Sequence, residues 1–378
     1  MDFSLSDDQR AIGEMANGLF RDNCSDEQMR AFDLASRPFM DDLWQTCIDT
    51  GLHALAIPER FDGSGLGMTE LFCVLQAQGA SLALVPVWEH QLTACALAEF
   101  AGDAQASLIA RAARGEALLG LGLGTLNSSQ GAELVVEPTE AGFSLSGQVG
   151  AVAYAAQAER LLVLAHSADG LQPVLVDPVA EGVRLVEGVA NHGVALADVH
   201  CDNVSVTEAN LLPVAATDWL EQRAIAAVAS LQLGVSEEQI RRTAEYLQER
   251  EQFGRAIGTF QAVQMTMADC HIAAEALRST LYQLLYRLDA GLPSPSEALA
   301  TQYLSAEAAH LVGHKTQHVH GGIGVDLTYP IHRFLYWSRH LSMSLGSSSG
   351  SLERLGNWLA NNDKLGWKYD LEENQITG

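Results

Sequence analysis

At 378 residues the chain is long enough for two or three domains with substantial cores, and 48% hydrophobic against 18% charged residues is a globular balance, not a disordered one. The net charge of −25 argues against nucleic acid as a partner, because neutralising phosphates takes basic patches, and against electrostatic docking on an anionic membrane. None of the six cysteines sits in a C-x-x-C pair, which reads as free thiols in a reducing compartment. No basic-then-apolar signal segment opens the chain, and no apolar run reaches the span of about 20 residues that crosses a bilayer. A cytoplasmic protein is expected.

Residues 1–116 read as an all-helical domain. Ser6 with Gln9 forms a capping box ahead of the apolar positions Ile12, Met15, Leu19 and Phe20. Further helices are predicted over 40–50, 69–83 and 89–101, with a turn-rich loop at 58–67. Residues 117–213 change character: short strands are predicted over 118–126, 133–137, 143–147, 160–165, 172–176, 182–186 and 199–206, closely punctuated by Gly, Asn and Ser. That spacing suggests a compact sheet, a small barrel or a sandwich. From about 214 the pattern is helical to about 360, with a break at 291–295 where Ser294 or Ser296 could cap the next helix. The end of the chain, from 361, is polar and reads as a tail. The fold class is α+β.

The chain turns on residues 250–261, Arg-Glu-Gln-Phe-Gly-Arg-Ala-Ile-Gly-Thr-Phe-Gln. They read as helix, break, helix, with Gly254 taking the left-handed backbone that ends the first helix and Thr259 capping the second. Val263, Met267, Cys270, Ala274, Leu277, Leu281 and Leu284 then form the buried seam of a bundle helix. A fixed Arg, an aromatic and a Gln at this corner suit a pyrophosphate. An interhelix corner with a solvated arginine accounts for the same residues, and on chemistry alone is the plainer account.

Arg250, Phe253, Gly254, Ile257, Phe260 and Gln261 resemble the R-x-x-F-G-x-x-(I/L)-x-x-(F/H)-Q corner of the acyl-CoA dehydrogenase family. The similarity continues through Ala268-Asp269 to His320-Gly321-Gly322-Ile323-Gly324, which resembles that family's second cofactor motif, and 58–67 resembles its P-E-x-x-G-G-x-G loop with Asp62 in place of a glycine. The resemblance implies a three-domain fold: helices (1–116), a β domain (117–213) and a C-terminal four-helix bundle with its tail (214–378). It implies an FAD enzyme that oxidises acyl-CoA thioesters and commonly passes electrons to an electron-transfer flavoprotein. By residue, it implies cofactor contacts from Arg250, Phe253, Gln261, Gly321, Gly322 and Gly324, and from His318, where many members have Gln.

The reaction takes a proton from the carbon next to the thioester and a hydride from the carbon beyond it. The proton needs a carboxylate base in a dry site. Where many members carry that base, this chain has Leu345; where others carry it, upstream of a helix glycine matching Gly234, it has Ala224. Neither can take a proton. Glu221 is nearby and is the candidate base for a self-sufficient homo-oligomer, although a solvated helix-start carboxylate is its plainer reading. The family's (L/F)-(T/S)-E-P and W-I-(T/S) runs, which touch the flavin ring, correspond to residues 121–127 and 149–154, which keep neither the acidic-Pro pair nor the Trp. Only Thr125 could stand in. A kept nucleotide half with a lost ring half resembles the second chain of the family's heteromeric α2β2 branch, known from steroid side-chain degradation, in which two dissimilar chains share one FAD.

A flavin-free CoA-binding or scaffold protein is a further alternative. A metal site is another, because His310, His314 and His318 recur at helical spacing with His320 close by, but no carboxylate or Cys joins them and a polar bundle face is the better reading. Trp219, Trp337, Trp358 and Trp367 read as packing or interface aromatics, and residues 347–351 as a loop beside the cofactor.

Overall fold

Ser6 starts the first helix as its spacing from Gln9 requires. The Ser6 hydroxyl accepts from the Gln9 amide while the Gln9 side chain accepts from the Ser6 amide. The computed structural model describes residues 4–35, 37, 39–127, 133–140 and 142–362; the expected polar tail lies almost wholly outside them. The N-terminal part comprises α1 (Asp7–Asn23), α2 (Asp26–Ala35), α3 (Asp41–Asp49), α4 (Met68–Ser81), α5 (Val87–Phe100) and α6 (Ala106–Ala113). α2 was not expected. A second Ser-x-x-Gln box, Ser25 with Gln28, opens it. Between α3 and α4, Asp62 takes a left-handed φ of 69° at the position where the family resembled has glycine, and its carboxylate pairs with Arg114 at 2.9 Å.

Strands β1 (Leu119–Gly122), β2 (Val135–Thr139), β3 (Gly142–Ala153), β4 (Arg160–Ser167), β5 (Gly170–Val176), β6 (Val183–Val189) and β7 (Ala195–Val206) form one curled sheet, a half-barrel, in the order β1-β4-β2-β3-β7-β6 with β5 on β4. Side-chain alternation gives the sheet two cores. Leu161, Val163 and Ala165 of β4 pack inside the curl, while Leu162 and Leu164 join the helical core. The β3–β7 ribbon shifts register between Val149 and Val152, and there Ala151 and Tyr154 take left-handed backbone at φ 54° and 52°.

The C-terminal part comprises α7 (Ala215–Glu249), a hairpin of β8 (Glu251–Gln252) and β9 (Arg255–Ala256), α8 (Gln261–Asp289), α9 (Pro295–His320), α10 (Ile331–Ser344) and α11 (Ser348–Ala360). Cys270, Ala274, Leu277, Leu281 and Leu284 are the buried seam of α8, with Val263 and Met267 half-buried at its start. Ser294 caps α9 by position only; its hydroxyl donates to Gln222 at 2.7 Å. The serine run is not a loop. Ser347 accepts from the Gly350 amide and caps α11, which the following serines continue.

Two glycines fix how the helical parts meet. A methyl group on Gly79 of α4 would stand 2.1 Å from the Leu231 carbonyl, and one on Gly234 of α7 would stand 1.9 Å from that of Gln76. Backbone therefore lies on backbone where α4 crosses α7, which only glycine permits. Gln78 of α4 and Val228 and Leu231 of α7, beside the crossing, all line a central cavity. No helix among the described residues is long and apolar enough to cross a membrane.

Candidate functional site

α7 ends at Glu249, and Arg250 leaves it in extended backbone. Phe253 and Gly254, at φ 53° and 77°, then make the tight turn of the β8–β9 hairpin. Gly254 is left-handed as expected, but it serves the hairpin and not the helix end. Thr259 does not cap α8 either: its hydroxyl donates to the Ala256 carbonyl at 2.7 Å, and Phe260 occupies the cap position. The Arg255 guanidinium lies 4.1 Å over the Phe260 ring, with Phe253 edge-on to the same ring. Phe253 is 92% exposed. Arg250 and Gln261 are exposed too, and their side chains have no hydrogen-bond partner among the described residues.

The second motif closes α9. Gly321, at φ 61° and ψ −139°, holds a backbone only glycine adopts freely. Gly321 and Gly322 are exposed, and no atom lies within 4 Å of where either side chain would begin. Gly324 faces the other way: it is buried, and its carbonyl accepts from the Gln317 side chain, so it shapes the turn. His318 is exposed on the last turn of α9, while His320 is buried and stacks on Tyr246, with ring centroids 4.4 Å apart. Tyr246 lies one turn before Arg250. The stack thus brings the two motifs to one end of the bundle, where an arginine, open glycine amides and the first turn of α8 can converge on an anion.

The residues weighed as bases lie elsewhere. Ala224 is fully buried in α7, and Leu345 is buried at the end of α10 on the wall of the central cavity. Glu221 is not a solvated helix-start carboxylate. It is buried, off the cavity wall, and held by both nitrogens of the Arg354 fork at 2.6 and 2.8 Å. A carboxylate engaged on both oxygens is a poor acceptor for a carbon-bound proton.

The cavity measures about 700 Å³ and lies between α4, α5, the β1–β3 face, α7 and α10. Its wall holds a carboxyl that sequence reading missed, Glu89 of α5. Glu89 is 6% exposed, burial pushes it up to about 8, and its Oε2 has no hydrogen-bond partner among the described residues. α5 is buried over most of its length, and Glu89 lies in the buried part while Glu99, near its end, is exposed, a difference the sequence alone does not mark. Across the cavity His192 stacks on His340 at 3.8 Å, and burial lowers the two rings to about 2 and about 4.

On the sheet side, Thr125 is turned inward and donates to the Leu164 carbonyl at 3.1 Å. Tyr154 is 3% exposed, with its ring edge-on to Phe39. His310 and His314 lie with ring centroids 4.6 Å apart, and no group of three or more His, Cys, Asp or Glu among the described residues could hold a metal ion. Trp337 is buried on the cavity wall, and Trp219 packs on Phe100 and Arg223; Trp367 lies outside the described residues.

Helices, a curled β half-barrel and a helical bundle, with the β8–β9 corner at one bundle end, define the acyl-CoA dehydrogenase class of fold. The family model for the acyl-CoA dehydrogenase N-terminal domain matches residues 6–116, and that for the C-terminal domain matches residues 214–359. The chain is 32% identical to acyl-CoA dehydrogenase FadE27 of Mycobacterium tuberculosis, over 95% of this chain and 99% of the relative. Among solved structures it is similar to a chain of the ChsE4–ChsE5 complex from Mycobacterium tuberculosis, with TM-score 0.91, 31% identity and coverage of 96% and 100%. It is also similar to a chain of the Tcur3481–Tcur3483 steroid ACAD, with TM-score 0.89, 34% identity and coverage of 95% and 99%. A more distant fold neighbour, a glutaryl-CoA dehydrogenase from Mycobacterium smegmatis at TM-score 0.84 and 17% identity over 96% of each chain, was solved in complex with FADH2. The chain belongs to the acyl-CoA dehydrogenase family, and so to a family of oxidoreductases.

Proposed function

We propose that this chain is the base-free partner in a two-chain acyl-CoA dehydrogenase. In an α2β2 assembly it completes the FAD site of a second, dissimilar acyl-CoA dehydrogenase-like chain. The assembly introduces a double bond between the two carbons next to an acyl-CoA thioester carbonyl. The observation that carries the reading is a one-sided site: an exposed nucleotide corner on a chain with Leu345 where a base would stand.

The pyrophosphate and adenosine end of FAD fits the corner. Arg250 can fork onto two phosphate oxygens, the unobstructed Gly321 and Gly322 leave their amides approachable, and Gln261 and His318 add donors beside them. The ring end does not fit this chain's own sheet, because the Thr125 hydroxyl is spent on Leu164 and Tyr154 is buried where a ring-facing indole would be needed. When bound, FAD supplies the hydride acceptor. This chain's residues hold its nucleotide end, and Phe253 screens that end from water. The two-chain complexes among the similar structures support a partner chain, and the steroid ACAD among them extends the proposal to a steroid-derived acyl-CoA, with an electron-transfer flavoprotein taking the electrons.

Expressing the chain alone and with an acyl-CoA dehydrogenase-like partner, then recording flavin absorbance and acyl-CoA turnover, tests the reading. The pair is expected to carry flavin and activity, and the lone chain neither. Stoichiometric FAD and turnover by the lone chain overturn it. A pair without flavin would leave a CoA-binding or scaffold protein.

A second reading is a self-associating enzyme with its own base. The observation that favours it is Glu89, the acidic side chain on the cavity wall, and not Glu221. Proton removal there dehydrogenates nothing unless a hydride acceptor is held alongside, and the Thr125 hydroxyl, spent on the Leu164 carbonyl, is not free to hold one. A catalytic base would lose about a thousandfold in turnover on Glu89→Gln; the two-chain reading expects turnover to persist.

A further inference from the structure

We propose that His310 and His314, on the outer face of α9, form a chelating site for a divalent transition-metal ion, Cu²⁺ or Ni²⁺ in preference to Zn²⁺, with water completing the coordination shell. The two imidazoles stand four residues apart, about one helical turn, which puts both on one face of the helix. His310 is exposed and His314 half-buried, and their ring centroids lie 4.6 Å apart. Neither ring has a hydrogen-bond partner among the described residues, so the nitrogens of both are available to an ion.

The helix holds the pair in place. Ala308, Ala309 and Val312 bury the inner side of the same turns. α10 packs down on Gly313, where a methyl group would meet Leu335 at 3.2 Å and Ser338 at 3.4 Å. Lys315, the next residue after His314, is drawn away onto Asp269 of α8. An ion that binds therefore has two side chains to order and no backbone.

The separation of the rings selects the ion. With one nitrogen of each ring turned to it at about 2.1 Å, an ion lies about 3.2 Å from each ring centre. Centres 4.6 Å apart then subtend about 90° at the ion. That is the angle between neighbouring ligands of a tetragonal or octahedral ion, whereas a tetrahedral one asks for about 109° and rings about 5.2 Å apart. Mg²⁺ and Ca²⁺ pass over imidazole for oxygen. No group of three or more His, Cys, Asp or Glu among the described residues could close the shell, so two ligands hold the ion and it exchanges readily. Arg339, beside Ser338 on α10, acts on His314 as a neighbouring positive charge and keeps the affinity modest. Arg339 also stands on the wall of the central cavity, so an ion on the histidine pair adds positive charge beside that wall.

The test titrates NiCl₂, CuCl₂ and ZnCl₂ by calorimetry into the full chain, without a histidine tag and in whatever complex it purifies with, at neutral pH. One ion per chain is expected, with copper at least tenfold tighter than nickel or zinc and MgCl₂ not competing. The copper complex should give a tetragonal paramagnetic-resonance spectrum with nitrogen coupling, and saturating nickel should raise the melting temperature of the parent. His310→Ala and His314→Ala should each weaken nickel at least tenfold and abolish the rise, while His318→Ala, one turn further along, should keep nickel affinity within about twofold. The proposal is overturned if no ion saturates at one site per chain, or if the double variant His310→Ala/His314→Ala binds as the parent does. It is also overturned if His318→Ala loses as much affinity as His310→Ala, which places the ion elsewhere. Should an alanine variant fail to fold, His310→Gln, which keeps the helix and its polar face, decides in the same way.

Discussion

At the corner, Arg250 and Gln261 stand in solvent with no hydrogen-bond partner among the described residues; in the cavity, Gln78, Glu89 and His192 are buried with one polar atom each unanswered. The two situations differ in energy. Water solvates an exposed guanidinium, so the corner can stand open indefinitely, whereas a buried carboxyl without partners gives up its charge or weakens the fold. The comparison teaches that an open polar surface costs stability little and can be kept by a few local residues, while a closed polar pocket must be built by many elements at once.

The strongest way to break the comparison is at the helix crossing. Gly234→Ala drives a methyl to 1.9 Å from the Gln76 carbonyl and is expected to cost about 3 kcal/mol or more, prising α4 from α7 and deforming the cavity. Thermal melting checks this, and an unchanged melting temperature would mean the crossing is looser than described. Arg250→Ala sharpens the other half. With one charge-assisted contact removed, FAD affinity of the two-chain complex should fall roughly 10- to 100-fold while melting of this chain by itself is unmoved. A matching loss of melting would make Arg250 structural.

Glu89→Gln probes the cavity through pH. Burial raises the folded-state value of Glu89 from 4.5 to about 8, so the stability this group contributes is fully present below the unfolded value and is lost as pH rises through about 8. A glutamine has no proton to lose. The variant is therefore expected to gain about 1–3 kcal/mol over the parent near pH 8 and nothing near pH 4, read from melting curves across that window. A gain independent of pH would show that Glu89 is not protonated in the fold. The smallest effect is expected from Glu221→Gln. It weakens an ion pair whose arginine is nearly half exposed, by about 1 kcal/mol, and leaves turnover of the complex unchanged.

How much of this was legible follows the same division. Local rules found the Ser6–Gln9 box, the place of each strand of the half-barrel and the corner motif, because spacing and turn chemistry act over a handful of positions, although β3 runs six residues past its expected end at 147. The β8–β9 hairpin was hidden because Phe253-Gly254 is not one of the usual turn pairs and its strands are two residues each. The first turn of α11 was misread because a run of serines reads as a loop until one of them is seen to cap. Glu221 was misjudged because its partner, Arg354, is far along the chain. The cavity needed α4, α5, α7, α10 and the sheet together, and no window of sequence holds all of them.

The reciprocal glycines carry one more lesson. Each is needed because the other chain segment presses against it, so neither can drift in evolution by itself. Gaining a side chain at either position would push the helices apart and remove the reason for the second glycine. The two sites should vary together or not at all, and a descendant that had lost both would have a wider interior and different tastes in what it admits.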